Sequence, residues 1–269
     1  GKTSLAEAIL HKTGATTRLG NVDDKTSICD YYDEEKQHQH SIQSAIVHTN
    51  YHGKLINIID TPGYPDFLGP TIAAIPAAET ALIVINAAAG IETNTRKLFE
   101  LATNAHMPRL IVINKIDAEN VDLAELIKDI RESFGPQCRC ANLPTADHTS
   151  IIDCIENESG DSALMDVSDA HTQLMESVIE ADDALCESYL AGEEISLEKI
   201  SSVFVKALNT GTLIPIVFTN ARAEVGINQL IDIIVKYTPS PGQANPVQLT
   251  EGENTVPLKA EPNLSLIHI

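Results

Sequence analysis

Apolar residues recur at two different spacings along this chain, and the changes from one spacing to the other outline its elements. From Lys2 to Lys12, Leu5, Ala8 and Ile9 fall on one helical face, and Gly14 supplies a stop. The stretch from Asn21 to Gln43 is polar, charged and without period, which predicts a mobile loop. Ala45 to Tyr51 and Lys54 to Ile59 are strand-like runs around His52-Gly53, the pattern of a hairpin. Ala81 to Ile85 reads as a buried strand, followed by a helix from about Glu92 to Ala105. Leu110 to Ile113 is a second short buried strand, and Leu123 to Phe134 an amphipathic helix.

The regularity breaks between about Gly135 and Leu213. Ile151 to Ile155 reads as a strand, Ala170 to Tyr189 as one long helix, and Leu197 to Leu208 as another. Alternation resumes with the strand Ile214 to Phe218 and the helix Ile227 to Tyr237. Strands alternating with helices predict an α/β fold: a mostly parallel sheet with helices on both faces. The middle block, about 135–213, is then an inserted α+β subdomain within a first domain spanning 1–242. Pro239 and Pro241 mark a linker, and 243–269 begin a second, β-rich domain.

Composition narrows the partners. The net charge of −20 argues against a broad basic surface, so direct DNA binding is not expected. No run of about 18 apolar residues predicts a membrane span. The five cysteines form an odd, scattered set, which suits reduced thiols in a cytosol-like compartment. Both ends look cut, because the chain opens at the second glycine of a G-x-x-x-x-G-K-[ST] pattern and closes within a strand-like region.

Three short strings carry the chemistry. The first is GKTS, Gly1 to Ser4. Gly1 allows close backbone approach to phosphate, Lys2 offers a compact cation to β- and γ-phosphates, and Thr3 a hydroxyl to Mg²⁺. An ordinary helix that happens to begin GKTS is the plainer reading of that string alone. The second is DTPG, Asp60 to Gly63, at the end of a strand, where open α/β sheets place ligand groups. Asp60 would hold Mg²⁺ through its water shell, and Gly63 would donate its N–H to the γ-phosphate. Asp, Pro and Gly also favour turns, and the two readings are compatible.

The third string is NKID, Asn114 to Asp117, just beyond a strand. A carboxylate at Asp117 accepts from the N1–H and exocyclic amine of guanine, a donor pair that adenine lacks. Lys115 packs along the base, and Asn114 ties the loop. In this order the three strings predict GTP/GDP and Mg²⁺ as ligands. Ser41, in the loop before the first strand, would supply a second hydroxyl to Mg²⁺. His38 and His40 flank that position in QHQHS, but they lack a convincing metal-ligand spacing.

DTPGYPDF at Asp60 to Phe67, ESYLAGEEIS at Glu187 to Ser196 and YTPSP at Tyr237 to Pro241 resemble translational GTPases, specifically the elongation factor G family. VFTNA, Val217 to Ala221, falls where that family has its base-contacting loop. The resemblance implies Ala221 N–H near guanine O6, with Asn220 where a Ser is usual. It also implies GTP hydrolysis stimulated by the ribosome, in translocation or recycling, by a cytoplasmic monomer. The sequence departs from the family at two further places. Ser41 replaces a Thr, and Tyr64 stands where the family has a water-orienting His. A phenol titrates near 10 and is a poor base at neutral pH, though it can still position water. These departures resemble the divergent elongation factor G-like branch. They motivate a second reading, a GTP-binding switch with little hydrolysis.

Overall fold

The computed structural model describes residues 1–191, 197–251 and 254–258. Helix α1 (Lys2–Lys12) opens the chain, and a long excursion carrying the short helix α2 (Asp33–His38) follows. Strands β1 (Ala45–Tyr51) and β2 (Lys54–Asp60) form the expected antiparallel hairpin, with Tyr51 opposite Lys54. Helix α3 (Leu68–Ala74), strand β3 (Ala81–Asn86), helix α4 (Thr93–Asn104), strand β4 (Arg109–Asn114) and helix α5 (Leu123–Phe134) come next. Three short strands, β5 (Cys138–Cys140), β6 (Asn142–Pro144) and β7 (Ile151–Asp153), lead to helices α6 (Val167–Ile179), α7 (Asp183–Leu190) and α8 (Leu197–Thr210). Strand β8 (Ile214–Thr219), helix α9 (Ile227–Tyr237) and the hairpin β9 (Val247–Glu251) and β10 (Asn254–Leu258) complete the described chain.

The main sheet runs β3-β4-β8-β5, all parallel. Its central strands are buried on both faces, as the near-continuous apolar runs RLIVIN and IPIVFT require. Side-chain alternation divides each strand between two cores. Leu110 and Val112 of β4 join Val217 beneath α1, α8 and α9, with Leu5, Phe204 and Ile231 in the same cluster. Ile111 and Ile113 face the other way with Ile216 and Phe218, against Phe99 of α4 and Ile127 and Ile130 of α5.

Four expectations change. The stretch from Asn21 to Gln43 is not without structure, because α2 lies within it and Glu35 is buried there. Its residues lack an apolar period because buried carboxylates tie down much of it, with Cys29 packed against Ala6 and Ala45. The single helix expected from Ala170 to Tyr189 is two helices. Asp182 adopts an extended backbone and its carboxylate accepts from Leu185 N at 3.1 Å, starting α7 afresh. The strand expected to reach Ile155 stops at Asp153, whose Oδ1 accepts from Ile155 N at 2.7 Å and turns the chain. The block read as an insertion opens on β5, which pairs with β8 as the outer strand of the main sheet. Of the segment Glu187 to Ser196, residues 192–196 lie outside the described residues, as do 252–253 and 259–269 of the expected second domain.

Phe204 of α8 is fully buried, with its ring 4.4 Å from that of Tyr237, so it joins two helices across one core. Phe204→Ala is expected to lower the unfolding free energy by about 3–5 kcal/mol in urea titrations. Leu55→Ala on the hairpin, where Leu55 is 60% exposed, is expected to cost less than about 0.5 kcal/mol.

Candidate functional site

The parallel register aligns Asn86, Asn114 and Thr219 at the C-terminal ends of β3, β4 and β8. Loops leaving those ends therefore emerge side by side, which is where such sheets gather ligand groups. The segment Lys115 to Asp117 follows β4, and Asn220 and Ala221 follow β8. Helix α1 meets the same edge through Asn114, whose Nδ2 donates to Gly1 O at 3.3 Å.

Asn114 is 2% exposed and fully used. Its Oδ1 accepts from Lys115 N at 2.8 Å and from Ala221 N at 2.9 Å. One amide thus joins the start of α1, the NKID loop and the loop after β8. Lys115 takes a left-handed backbone with φ 64°, turning the chain so that Ile116 is buried while Lys115 and Asp117 are exposed. Asn220 points inward, where its Oδ1 accepts from Arg222 N and Ala223 N, both at 3.2 Å. It shapes the loop and leaves the neighbouring surface to Asp117 and Lys115.

On the other side of α1, hydroxyls and carboxylates converge. Thr3 Oγ1 donates to Asp60 Oδ2 at 2.7 Å and lies 3.2 Å from Ser41 Oγ. Residues distant in sequence, Thr3 of α1, Ser41 of the excursion and Asp60 at the end of β2, meet within hydrogen-bonding distance. Ser41 Oγ in turn donates to Asp30 Oδ1 at 2.7 Å. Asp30 is 2% exposed, and its Oδ2 is buried with no hydrogen-bond partner among the described residues. Hard oxygen donors in this arrangement, with one buried carboxylate oxygen unsatisfied, fit a small divalent cation such as Mg²⁺.

Burial dominates the charges here. It pushes the Asp60 carboxyl up to about 6, against the Thr3 hydrogen bond and the attraction of Lys2. Burial likewise lowers Lys2, with Asp60 and Glu92 opposing the shift. Gly63 lies against that ammonium: a Cβ at Gly63 would sit 2.6 Å from Lys2 Nζ. Asn94 Nδ2 donates to Gly63 O at 2.9 Å and holds the turn. Tyr64, next in the chain, is 55% exposed. Ser4 lies in the first turn of α1.

Three residues of this region went unremarked in the sequence. Glu7 of α1 is completely buried, and its Oε1 accepts from Ser27 Oγ, Ile28 N and Cys29 N at 2.8, 2.6 and 3.0 Å. Glu35 Oε1 accepts from Ile42 N and Gln43 N at 2.8 and 3.0 Å. Asp30 is the third. The available signal was Ile28-Cys29, an apolar pair inside a polar stretch, which marks where the excursion touches the body.

An α/β sheet with a phosphate-type helix start and a guanine-type loop on one edge defines a domain of the GTP-binding class. Residues 1–240 match the family described as the elongation factor Tu GTP binding domain, and the chain belongs to that family. Among curated relatives, elongation factor G of Fervidobacterium nodosum is 31% identical over 267 residues, covering 92% of this chain and 39% of its own length. Elongation factor G of Thermotoga neapolitana is 30% identical over 275 residues, covering 94% of this chain and 40% of its own. A crystal structure from Thermus thermophilus superposes with a TM-score of 0.82 at 31% identity, covering 90% of this chain and 39% of that one. The chain thus spans about two fifths of the length of these relatives.

The Asp60 shift sets a pH dependence. The folded-state value of about 6 lies above the ordinary carboxyl value of 3.8, so the folded form binds more protons between them and stability falls as pH rises through this window. Above about pH 6 the buried charge costs on the order of 3 kcal/mol. In buffer free of divalent cations, Asp60→Asn is expected to raise stability by that order at pH 7.5. The difference closes as pH falls below about 4, which urea unfolding at several pH values checks.

Proposed function

We propose that this chain is the GTP-binding domain of a translation factor resembling elongation factor G, which binds GTP with Mg²⁺ and hydrolyses it to GDP and phosphate on the ribosome. The observation that carries the reading is the meeting of Thr3, Ser41 and Asp60. A hydroxyl from the excursion reaches the first turn of α1 beside a strand-end carboxylate, as a loop that senses a γ-phosphate through a shared cation must. Gly1 to Ser4 cradle the phosphates with free N–H groups at the start of α1, and Lys2 reaches the β- and γ-phosphates. Bound Mg²⁺, held by Thr3, Ser41 and Asp60, would neutralise charge on the phosphate oxygens.

Gly63 would offer its N–H to the γ-phosphate, and Tyr64, the next residue, would border the attacking water. Asp117 accepts from the guanine N1–H and amine, Lys115 lies along the base, and Asn220 and Ala221 form the wall near its O6. The GTP-binding domain runs over 1–242 with its insertion within about 135–213, and a second domain begins after the linker. The step served is translocation or recycling, in the cytoplasm. Among the described residues no helix is long and apolar enough to cross a membrane. Tyr64 and Ser41, which stand where the family has His and Thr, motivate one further reading, a switch that binds GTP with little hydrolysis.

Phosphate release by the full-length protein, with and without ribosomes, separates the two. Stimulation by ribosomes is the expected outcome, and a rate unchanged by ribosomes sinks the hydrolytic reading. Asp117→Asn is expected to reduce the preference for GTP over ATP by about 100-fold, the worth of about 3 kcal/mol in charged hydrogen bonds. Competition binding with the two nucleotides reads it directly.

A further inference from the structure

Tyr64 is not alone at the second loop. The imidazole of His40 lies against it, with ring centroids 4.7 Å apart, and stacks on Phe67 at 6.0 Å. His40 comes from the excursion, immediately before the Ser41 that meets Thr3. Tyr64 immediately follows Gly63, the residue lying against Lys2 Nζ. The His40 ring is therefore bracketed by two chain neighbours that both touch the start of α1.

Its ring nitrogens are also assigned. Nδ1 lies 3.0 Å from His38 O, and a carbonyl oxygen only accepts, so Nδ1 carries the hydrogen. In the neutral ring that leaves Nε2 as an acceptor. The backbone around it is fixed on both sides. Gln39 takes a left-handed conformation with φ 58° that turns the chain out of α2. Ser41 is held by Asp30, and the N–H groups of Ile42 and Gln43 by Glu35. A ring packed against two aromatic side chains on an anchored segment is preorganised rather than adrift.

Resting on the hydrolytic reading above, we propose that His40 orients the attacking water through Nε2, with Tyr64 and Phe67 as the aromatic seat for its ring. Nε2 accepts a hydrogen bond from the water. The water oxygen then bonds to the γ-phosphorus, while the bond from phosphorus to the β,γ-bridging oxygen breaks and its electron pair leaves on GDP. One water proton stays on the released phosphate as its hydroxyl, and the other is released to solvent. Such a group contributes about 10²–10⁴-fold in rate.

The test is single-turnover phosphate release by the full-length protein at saturating GTP and ribosomes, alongside the affinity for a fluorescent guanine nucleotide. His40→Phe keeps an aromatic ring for the seat and removes the acceptor. His40→Gln removes the ring but keeps an amide that can hold water, as glutamine does in other GTPases. The expected result is a loss of about 100-fold or more for His40→Phe, with nucleotide affinity within about twofold, and a smaller loss of about tenfold for His40→Gln. Tyr64→Phe, which keeps the seat, is expected to cost less than His40→Phe. His40→Phe at the parent rate overturns the proposal, and so does a His40→Gln slower than His40→Phe, the order that packing alone would give. A parent protein with no ribosome-stimulated release overturns the hydrolytic reading and the role of His40 together. An active parent with an active His40→Phe overturns His40 alone.

Discussion

Parallel pairing of β3, β4 and β8 is the constraint from which the site follows. Parallel strands point the same way, so every connection leaving their C-terminal ends emerges on one edge. The register that sets Asn86 beside Asn114, and Asn114 beside Thr219, delivers the NKID loop and the 220–221 loop to one place. Asn114 then converts proximity into a fixed geometry, because its amide spans three segments while buried. A buried amide with both ends satisfied tolerates little displacement, since each lost hydrogen bond would leave a polar group stranded.

The second organising feature is the use of buried carboxylates to hold a polar segment. The excursion between α1 and β1 has too few apolar residues to anchor itself. Glu7 gathers Ser27, Ile28 and Cys29, Glu35 gathers Ile42 and Gln43, and Asp30 takes Ser41. Hydrogen bonds to a carboxylate are stronger and shorter than neutral ones, so few anchors suffice. They are also conditional, because a buried carboxylate costs solvation free energy that a cation or a proton relieves. Burial raises the carboxyl pKa of both Asp60 and Asp30, which sit beside the hydroxyls of Thr3 and Ser41. Cation binding and loop position are thereby physically linked in the proposed mechanism.

Much of the architecture was legible because apolar periodicity reports burial directly. Helices Leu123–Phe134 and Ile227–Tyr237 fall where the 3.6-residue pattern puts them, and β4 and β8 where short apolar runs end in polar residues. What stayed hidden involved side chains acting on the backbone. The break between α6 and α7 depends on Asp182 turning to Leu185, and the order of the excursion depends on Glu7 and Glu35. Acidic residues in a polar stretch look alike in a sequence, whether solvated or buried against an N–H group.

By itself, the sequence determined the kind of site. Lys2, Thr3, Asp60, Asn114 and Asp117 stand in local strings, because the phosphate, cation and guanine chemistry proposed for them demands particular residue types at short spacing. Only the tertiary structure decided the company they keep. Ser41 reaching Thr3, Asp30 behind Ser41, and His40 seated on Tyr64 are contacts across long stretches of chain. Nothing in local spacing encodes such meetings. They arise when strand register and buried hydrogen bonds bring separate loops to one edge of the sheet.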